Sequence, residues 1–100
     1  MTETSGRCLC GDVTYQYSGP ENWSGHCHCE SCRRNCSAAM VSFFGVPRAA
    51  YSFTGVAPGV YESSPGVRRL FCQRCGTPMA YDADRFKHEI HFYAASLDDP

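Results

Sequence analysis

Eight cysteines in a chain of 100 residues, gathered into three tight groups, constrain what this sequence can fold into more than any other feature. They read Cys8-x-Cys10, then Cys27-x-Cys29-x2-Cys32 with Cys36 close by, then Cys72-x2-Cys75. Each short spacing lets neighbouring thiolates converge on one ion. Residues i and i+2 of a strand share a face, so a strand would aim Cys8 and Cys10 at the same metal. The Cys72-x2-Cys75 turn does likewise, and Gly76 directly after it suits a tight knuckle because glycine accepts backbone conformations other residues resist.

Two such pairs, Cys8 with Cys10 and Cys72 with Cys75, would complete a closed tetrahedral zinc site. That site would tie the N-terminal strand to a late hairpin. Cys27, Cys29 and Cys32 differ, because three protein ligands with an open fourth position mark a zinc that accepts a ligand or substrate. Three soft thiolates favour zinc over hard cations. Spacing favours the open site but leaves an alternative, since Cys36 lies four residues from Cys32 and would share its face of a helix. The sequence thus predicts two zinc ions, one structural and one catalytic.

The other candidate residues are read more plainly. Strand alternation turns His26 and His28 away from a metal held by Cys27 and Cys29. His88 and His91 lack metal spacing and read as ordinary polar positions. Arg33 and Arg34 follow Cys32 directly; they would either bind a substrate carboxylate or offset the charge of the thiolates. Glu30 is the carboxylate nearest in sequence to this cluster, and no other general base stands out.

Composition narrows the function classes. Nine Lys and Arg against ten Asp and Glu leave a formal charge of −1, without the basic excess of a nucleic-acid binder. No apolar run reaches the roughly 20 residues of a membrane span. Residues 1–5 are polar, lack the apolar stretch of a signal peptide, and read as a flexible N-terminus. A cytosolic location follows as the expectation, and there cysteine clusters serve as metal ligands or catalytic groups rather than disulfides.

Glycine and proline punctuate short runs rich in Val, Tyr, Phe and Thr, the pattern of an antiparallel β fold. Val13, Tyr15 and Tyr17 alternate with polar residues as a half-buried strand. Met40–Val46 reads as a central strand, with further strands at Tyr51–Thr54, Gly59–Ser63, Arg68–Cys72, Pro78–Asp82 and Glu89–Leu97. The last places Ile90, Phe92 and Ala94 on one face and His91, Tyr93 and Ala95 on the other. Glu30–Ala39 is the one stretch suited to a short helix.

These motifs together resemble the glutathione-dependent formaldehyde-activating enzymes and their relatives, which include centromere protein V. The resemblance rests on CLCGDVTY at residues 8–15, CHCESCRR at 27–34, FCQRCGTPMAY at 71–81 and EIHFYAASLDDP at 89–100. It implies one zinc-binding domain over residues 6–100 with an Mss-four-like β-tent fold: small antiparallel sheets stapled by zinc, with little helix. It implies a structural zinc on Cys8, Cys10, Cys72 and Cys75 and a catalytic one on Cys27, Cys29 and Cys32.

The implied activity joins formaldehyde to glutathione, a carbon–sulfur lyase in the reverse sense, with a small-molecule thiol as partner. Two departures accompany it. Position 36 is Cys where relatives more often carry Ser or Thr, and many relatives continue for some tens of residues beyond SLDDP. Homodimerisation would cover a sheet edge left bare by a shorter chain. The alternatives are a non-catalytic zinc module that binds a protein, and a thiol–disulfide or zinc-buffering role for Cys36 with Cys32.

Overall fold

A computed structural model of the chain describes residues 3–99. Among these residues run nine strands and one α-helix: β1 Glu3–Arg7, β2 Thr14–Ser18, β3 Trp23–Cys27, α1 Glu30–Cys36, β4 Val41–Pro47, β5 Tyr51–Phe53, β6 Gly59–Ser64, β7 Val67–Phe71, β8 Pro78–Ala83 and β9 Glu89–Tyr93. All strand pairs are antiparallel. They form a small sheet ordered β1-β2-β5 and a six-stranded sheet ordered β3-β4-β9-β8-β7-β6. The fold class expected from the sequence, mainly β with little helix, is the one observed.

The two sheets enclose one core. Tyr15 and Tyr17 project from β2 onto Phe44 and Val46 of β4 and Ile90 and Phe92 of β9, all buried. Tyr15 stacks on Phe92 with ring centroids 4.2 Å apart, and Tyr51 and Phe53 of β5 close on the same ring at 5.5 and 5.9 Å. A second, smaller cluster of Cys32, Val41, Phe43 and Tyr93 lies on the other face of the large sheet. Strands β4 and β9 are therefore covered on both faces, which explains why β4 is apolar throughout except at Ser42.

Three expectations need correction. Residues 3–5, read as flexible, open β1, whose ladder to β2 runs from Glu3–Ser18 to Arg7–Thr14. The strand is polar and so lacks the alternating pattern of a half-buried one. It is held instead by backbone pairing and by the last residues, with Ser5 Oγ donating to Asp98 Oδ2 at 2.7 Å; Met1 and Thr2 lie outside the described residues. Trp23–Cys27, not foreseen as a strand, forms the exposed edge strand β3. The final strand stops at Tyr93, where Ala94–Ser96 makes a 3-10 turn that brings Leu97 beside Gly6.

One ion-pair network fixes the loops that flank the second thiol cluster. Arg48, just after β4, donates to Asp82 Oδ1 at 2.6 Å and to the Phe86 carbonyl at 3.0 Å. Arg68 donates to Asp82 Oδ2 at 3.2 Å and Asp84 Oδ1 at 2.8 Å. Burial pushes the Asp82 carboxyl up, but the two guanidiniums outweigh it and hold it below its ordinary range. The folded value lies below the unfolded one, so this stabilisation is present above about pH 4 and is lost as pH falls through the folded value. Asp82→Asn is expected to cost about 1–3 kcal/mol at pH 7 and to flatten the acid limb of stability, measured by urea unfolding between pH 2 and 7.

Candidate metal centres

Two turns build the first centre. Cys8 follows β1, and its N–H bonds the Val13 carbonyl at 2.9 Å while Gly11 N–H returns to the Cys8 carbonyl at 3.2 Å. Cys72 follows β7, with its N–H on the Thr77 carbonyl at 3.0 Å and Gly76 N–H on the Cys72 carbonyl at 2.8 Å. Gly76 sits at φ +80°, a region other residues enter at a cost. Cys8 and Cys10 thus converge through a turn, not through strand alternation, because β1 ends at Arg7.

The four sulfurs lie within 4.8 Å of one another. Cys8 Sγ and Cys72 Sγ each stand 3.7 Å from Cys10 Sγ. Four sulfurs about 2.3 Å from a shared ion would be separated by about 3.8 Å, so the residues fit a tetrahedral metal. Val13 N–H and Cys75 N–H donate to Cys8 Sγ and Cys72 Sγ at 3.3 and 3.4 Å, as a thiolate cluster requires. The Thr77 hydroxyl and N–H draw the Cys75 thiol down to about 5. For Cys10 the Asp12 N–H pulls downward, but desolvation and the neighbouring thiols prevail and raise it to about 12. Four adjacent thiols cannot all ionise without a cation among them.

The second centre gathers Cys27, the last residue of β3, Cys29, the N-cap of α1, and Cys32, buried on the first turn of the helix. Their sulfurs also lie within 4.8 Å, with Cys27 and Cys29 only 3.4 Å apart. Cys29 Sγ accepts the Cys32 N–H at 3.4 Å, which with its thiol neighbours lowers Cys29 to about 7. Burial pushes Cys32 up to about 12, against the pull of Arg69. Arg69, only 6% exposed, directs Nη1 to Cys32 Sγ at 3.6 Å and to Tyr93 Oη at 3.5 Å. Its guanidinium also lies over the Tyr81 ring, 5.0 Å from the centroid.

Cys36 stands outside this group. Four helical residues advance about 6 Å along the axis, which carries its sulfur beyond the other three. It instead accepts from Asn35 Nδ2 at 3.6 Å. The protein therefore offers three thiols and an open side. That side faces a cavity of about 320 Å³ walled by Trp23, Phe43, Tyr81, Phe86 and His91, with Arg69 and Arg85 as its cations. A larger cavity of about 620 Å³ near Cys36, Met40 and Leu97 does not include the three-thiol cluster.

Across residues 3–100 the sequence matches the family described as glutathione-dependent formaldehyde-activating enzyme. The chain belongs to this family. It is 33% identical over 81 residues to an uncharacterized lyase of Schizosaccharomyces pombe, covering 81% of this chain and 58% of that protein. The chain thus spans less than two thirds of that relative's length. A crystal structure of a Rhodobacter sphaeroides protein superposes with a TM-score of 0.80 at 18% identity, over 96% of this chain and 89% of the other, and so shares its fold. Among the described residues no helix is long and apolar enough to cross a membrane.

In this member of the formaldehyde-activating family, the structure brings together both cysteine sets singled out in the sequence. Of the two readings of the flanking arginines, the structure fits the solvated one. Arg34 pairs with Glu30 at 2.8 Å on the exposed side of α1, and Arg33 Nε caps the His28 carbonyl at 3.2 Å. Neither arginine nor Glu30 lines the thiol cavity; Arg69 and Arg85 take that place. His26, His28 and His88 are exposed, whereas His91, read as an ordinary polar position, is buried in the cavity wall. Its alternation with Ile90 and Phe92 was the available signal, since the opposite face of β9 proved covered as well.

Cys29→Ser is expected to release one of two bound metal ions and leave the fold intact, whereas Cys72→Ser releases the other and unfolds the domain. Cys36→Ser keeps both. Metal analysis alongside circular dichroism reads all three outcomes. Arg69→Met, which removes the cation beside Cys32, is expected to weaken the second centre by about 10–100-fold in a chelator competition.

Proposed function

We propose that this protein is a zinc-dependent carbon–sulfur lyase acting on a thiol adduct such as S-hydroxymethylglutathione, formed from glutathione and formaldehyde. The carrying observation is the three-thiol cluster that lacks a fourth protein thiol within reach and opens onto a cavity. Family membership and the likeness to a lyase support the reaction class. Soft thiolate sets favour zinc at both centres.

A zinc ion on Cys27, Cys29 and Cys32 would supply a Lewis-acid position that acidifies a thiol or polarises a carbonyl oxygen. The protein does the rest. Arg69 balances the negative charge of the thiolates and fixes Cys32 from below, through a charge-assisted contact worth more in a buried setting than in water. Trp23, Phe43, Tyr81 and Phe86 give the cavity a largely aromatic wall. Arg85 reaches the cavity with its guanidinium over the Tyr81 and Phe86 rings at 5.7 and 4.7 Å, and no carboxylate pairs with it among the described residues. That leaves a cation available to an anionic thiol such as glutathione.

Zinc-loaded protein mixed with glutathione and formaldehyde is expected to form the adduct faster than the spontaneous reaction, followed by NMR of the hydroxymethyl protons. Cys29→Ser should return the rate to the background. Equal rates with and without the wild-type protein, for glutathione and for other cellular thiols, would overturn the lyase and leave a zinc module that binds a protein.

A further inference from the structure

Addition of a thiol to formaldehyde moves one proton from sulfur to oxygen, and the cavity holds a side chain built for that transfer. His91 projects from β9 on the face opposite Ile90 and Phe92 and is 6% exposed. Tyr81 stacks on it with centroids 5.8 Å apart, and Trp23 and Phe86 pack at 4.7 and 4.5 Å. The ring is therefore fixed, and it borders the same cavity as Cys27, Cys29 and Cys32. Its nitrogens are not among the sulfur-clustered ligand atoms, so it faces the cavity without joining the metal group.

Its orientation is set by Glu89. His91 Nε2 lies 2.6 Å from Glu89 Oε2. The same carboxylate accepts from Trp23 Nε1 at 2.8 Å and, through Oε1, from Asn22 Nδ2 at 3.1 Å. Burial raises the Glu89 carboxyl, but the donors Trp23, His91 and Asn22 outweigh it and hold it below its ordinary range. An ionised carboxylate only accepts, so Nε2 carries a proton, and in the neutral ring the lone pair is then on Nδ1. Nδ1 has no hydrogen-bond partner among the described residues, yet no buried side-chain nitrogen or oxygen there goes unpartnered. Nδ1 is thus the atom open to the cavity. The other ionisable groups of the cavity are Tyr81 itself, the Cys27, Cys29 and Cys32 thiols, and two guanidiniums: Arg69 over Tyr81, and Arg85 over Tyr81 and Phe86.

We propose that His91 is the proton-transfer residue of this cavity and that Glu89 positions it, a proposal that rests on the lyase reading above. Nδ1 takes the S–H proton, and the electron pair left on sulfur forms the bond to the formaldehyde carbon. The carbonyl π pair moves to oxygen, which takes the proton back from Nδ1. Thiol and formaldehyde sum to the hydroxymethyl thioether, nothing is oxidised or reduced, and the imidazole ends neutral. Cleavage runs the same steps backwards. Carboxylate-oriented imidazoles perform this service elsewhere in acid–base catalysis.

The test uses zinc-loaded protein labelled with 15N-histidine. Before ligand, His91 should show a proton on Nε2 alone; with glutathione bound it should become an imidazolium. His91→Gln should lower kcat for adduct cleavage by about 100-fold or more with both metal ions retained. Glu89→Gln should lower kcat less and shift the tautomer, and it serves alone if His91→Gln fails to fold. Three results would overturn the proposal by itself: a metal ion lost from His91→Gln, kcat of both variants within twofold of wild type, or an imidazole unchanged by bound glutathione. No glutathione binding and no turnover by the wild-type protein would remove the lyase reading and this proposal together.

Discussion

Cys8, Cys10, Cys72 and Cys75 sit where the two sheets would otherwise be free to separate. The first pair directly follows β1 of the small sheet and the second directly follows β7 of the large one, 62 residues apart between Cys10 and Cys72. Sulfurs 3.7 Å apart repel once ionised, so the cluster is stable only with a cation among them. Metal binding to such sets yields apparent free energies of about 10–16 kcal/mol, against about 5–15 kcal/mol for the net stability of a whole domain. A chain of 100 residues has a thin core, and a metal held there would clasp the two sheets around Tyr15 stacked on Phe92.

With the sheets aligned, the outer face of the large sheet becomes a second working surface. Strands β4 and β9 present Phe44, Val46, Ile90 and Phe92 inward and Phe43, His91 and Tyr93 outward. Helix α1 and the indole of Trp23, laid against Gly45 where a side chain would collide, cover that outward face. Between them the cover leaves the cavity beside Cys27, Cys29 and Cys32.

Charge decides how that cavity works. Three thiolates with one divalent ion would keep a single negative charge, and the guanidinium of Arg69 stands where it would offset it, buried between Cys32, Tyr93 and Tyr81. Buried ion groups persist where they are paired and hydrogen-bonded. Glu89 meets the same requirement by accepting from three donors.

Local spacing made the candidate ligands legible, because Cys8 with Cys10, Cys72 with Cys75, and Cys27 with Cys29 and Cys32 each lie within a few residues; only the fold joins the first two pairs. Alternation and glycine or proline boundaries likewise exposed β2 and the strands from β6 to β9. Strands β1 and β3 escaped because one is polar and the other an exposed edge, so neither carries an apolar period. The sequence by itself determined the two thiol sets, the β class and the family. Tertiary structure alone decided that Cys36 stands outside the three-thiol group, that Arg69 rather than Arg33 or Arg34 sits beside Cys32, and that His91 lines the cavity with Glu89 bonded to its ring. The reason is register: these side chains come from strands distant in sequence, and only the pairing of β3, β4, β9, β8 and β7 brings them to one face.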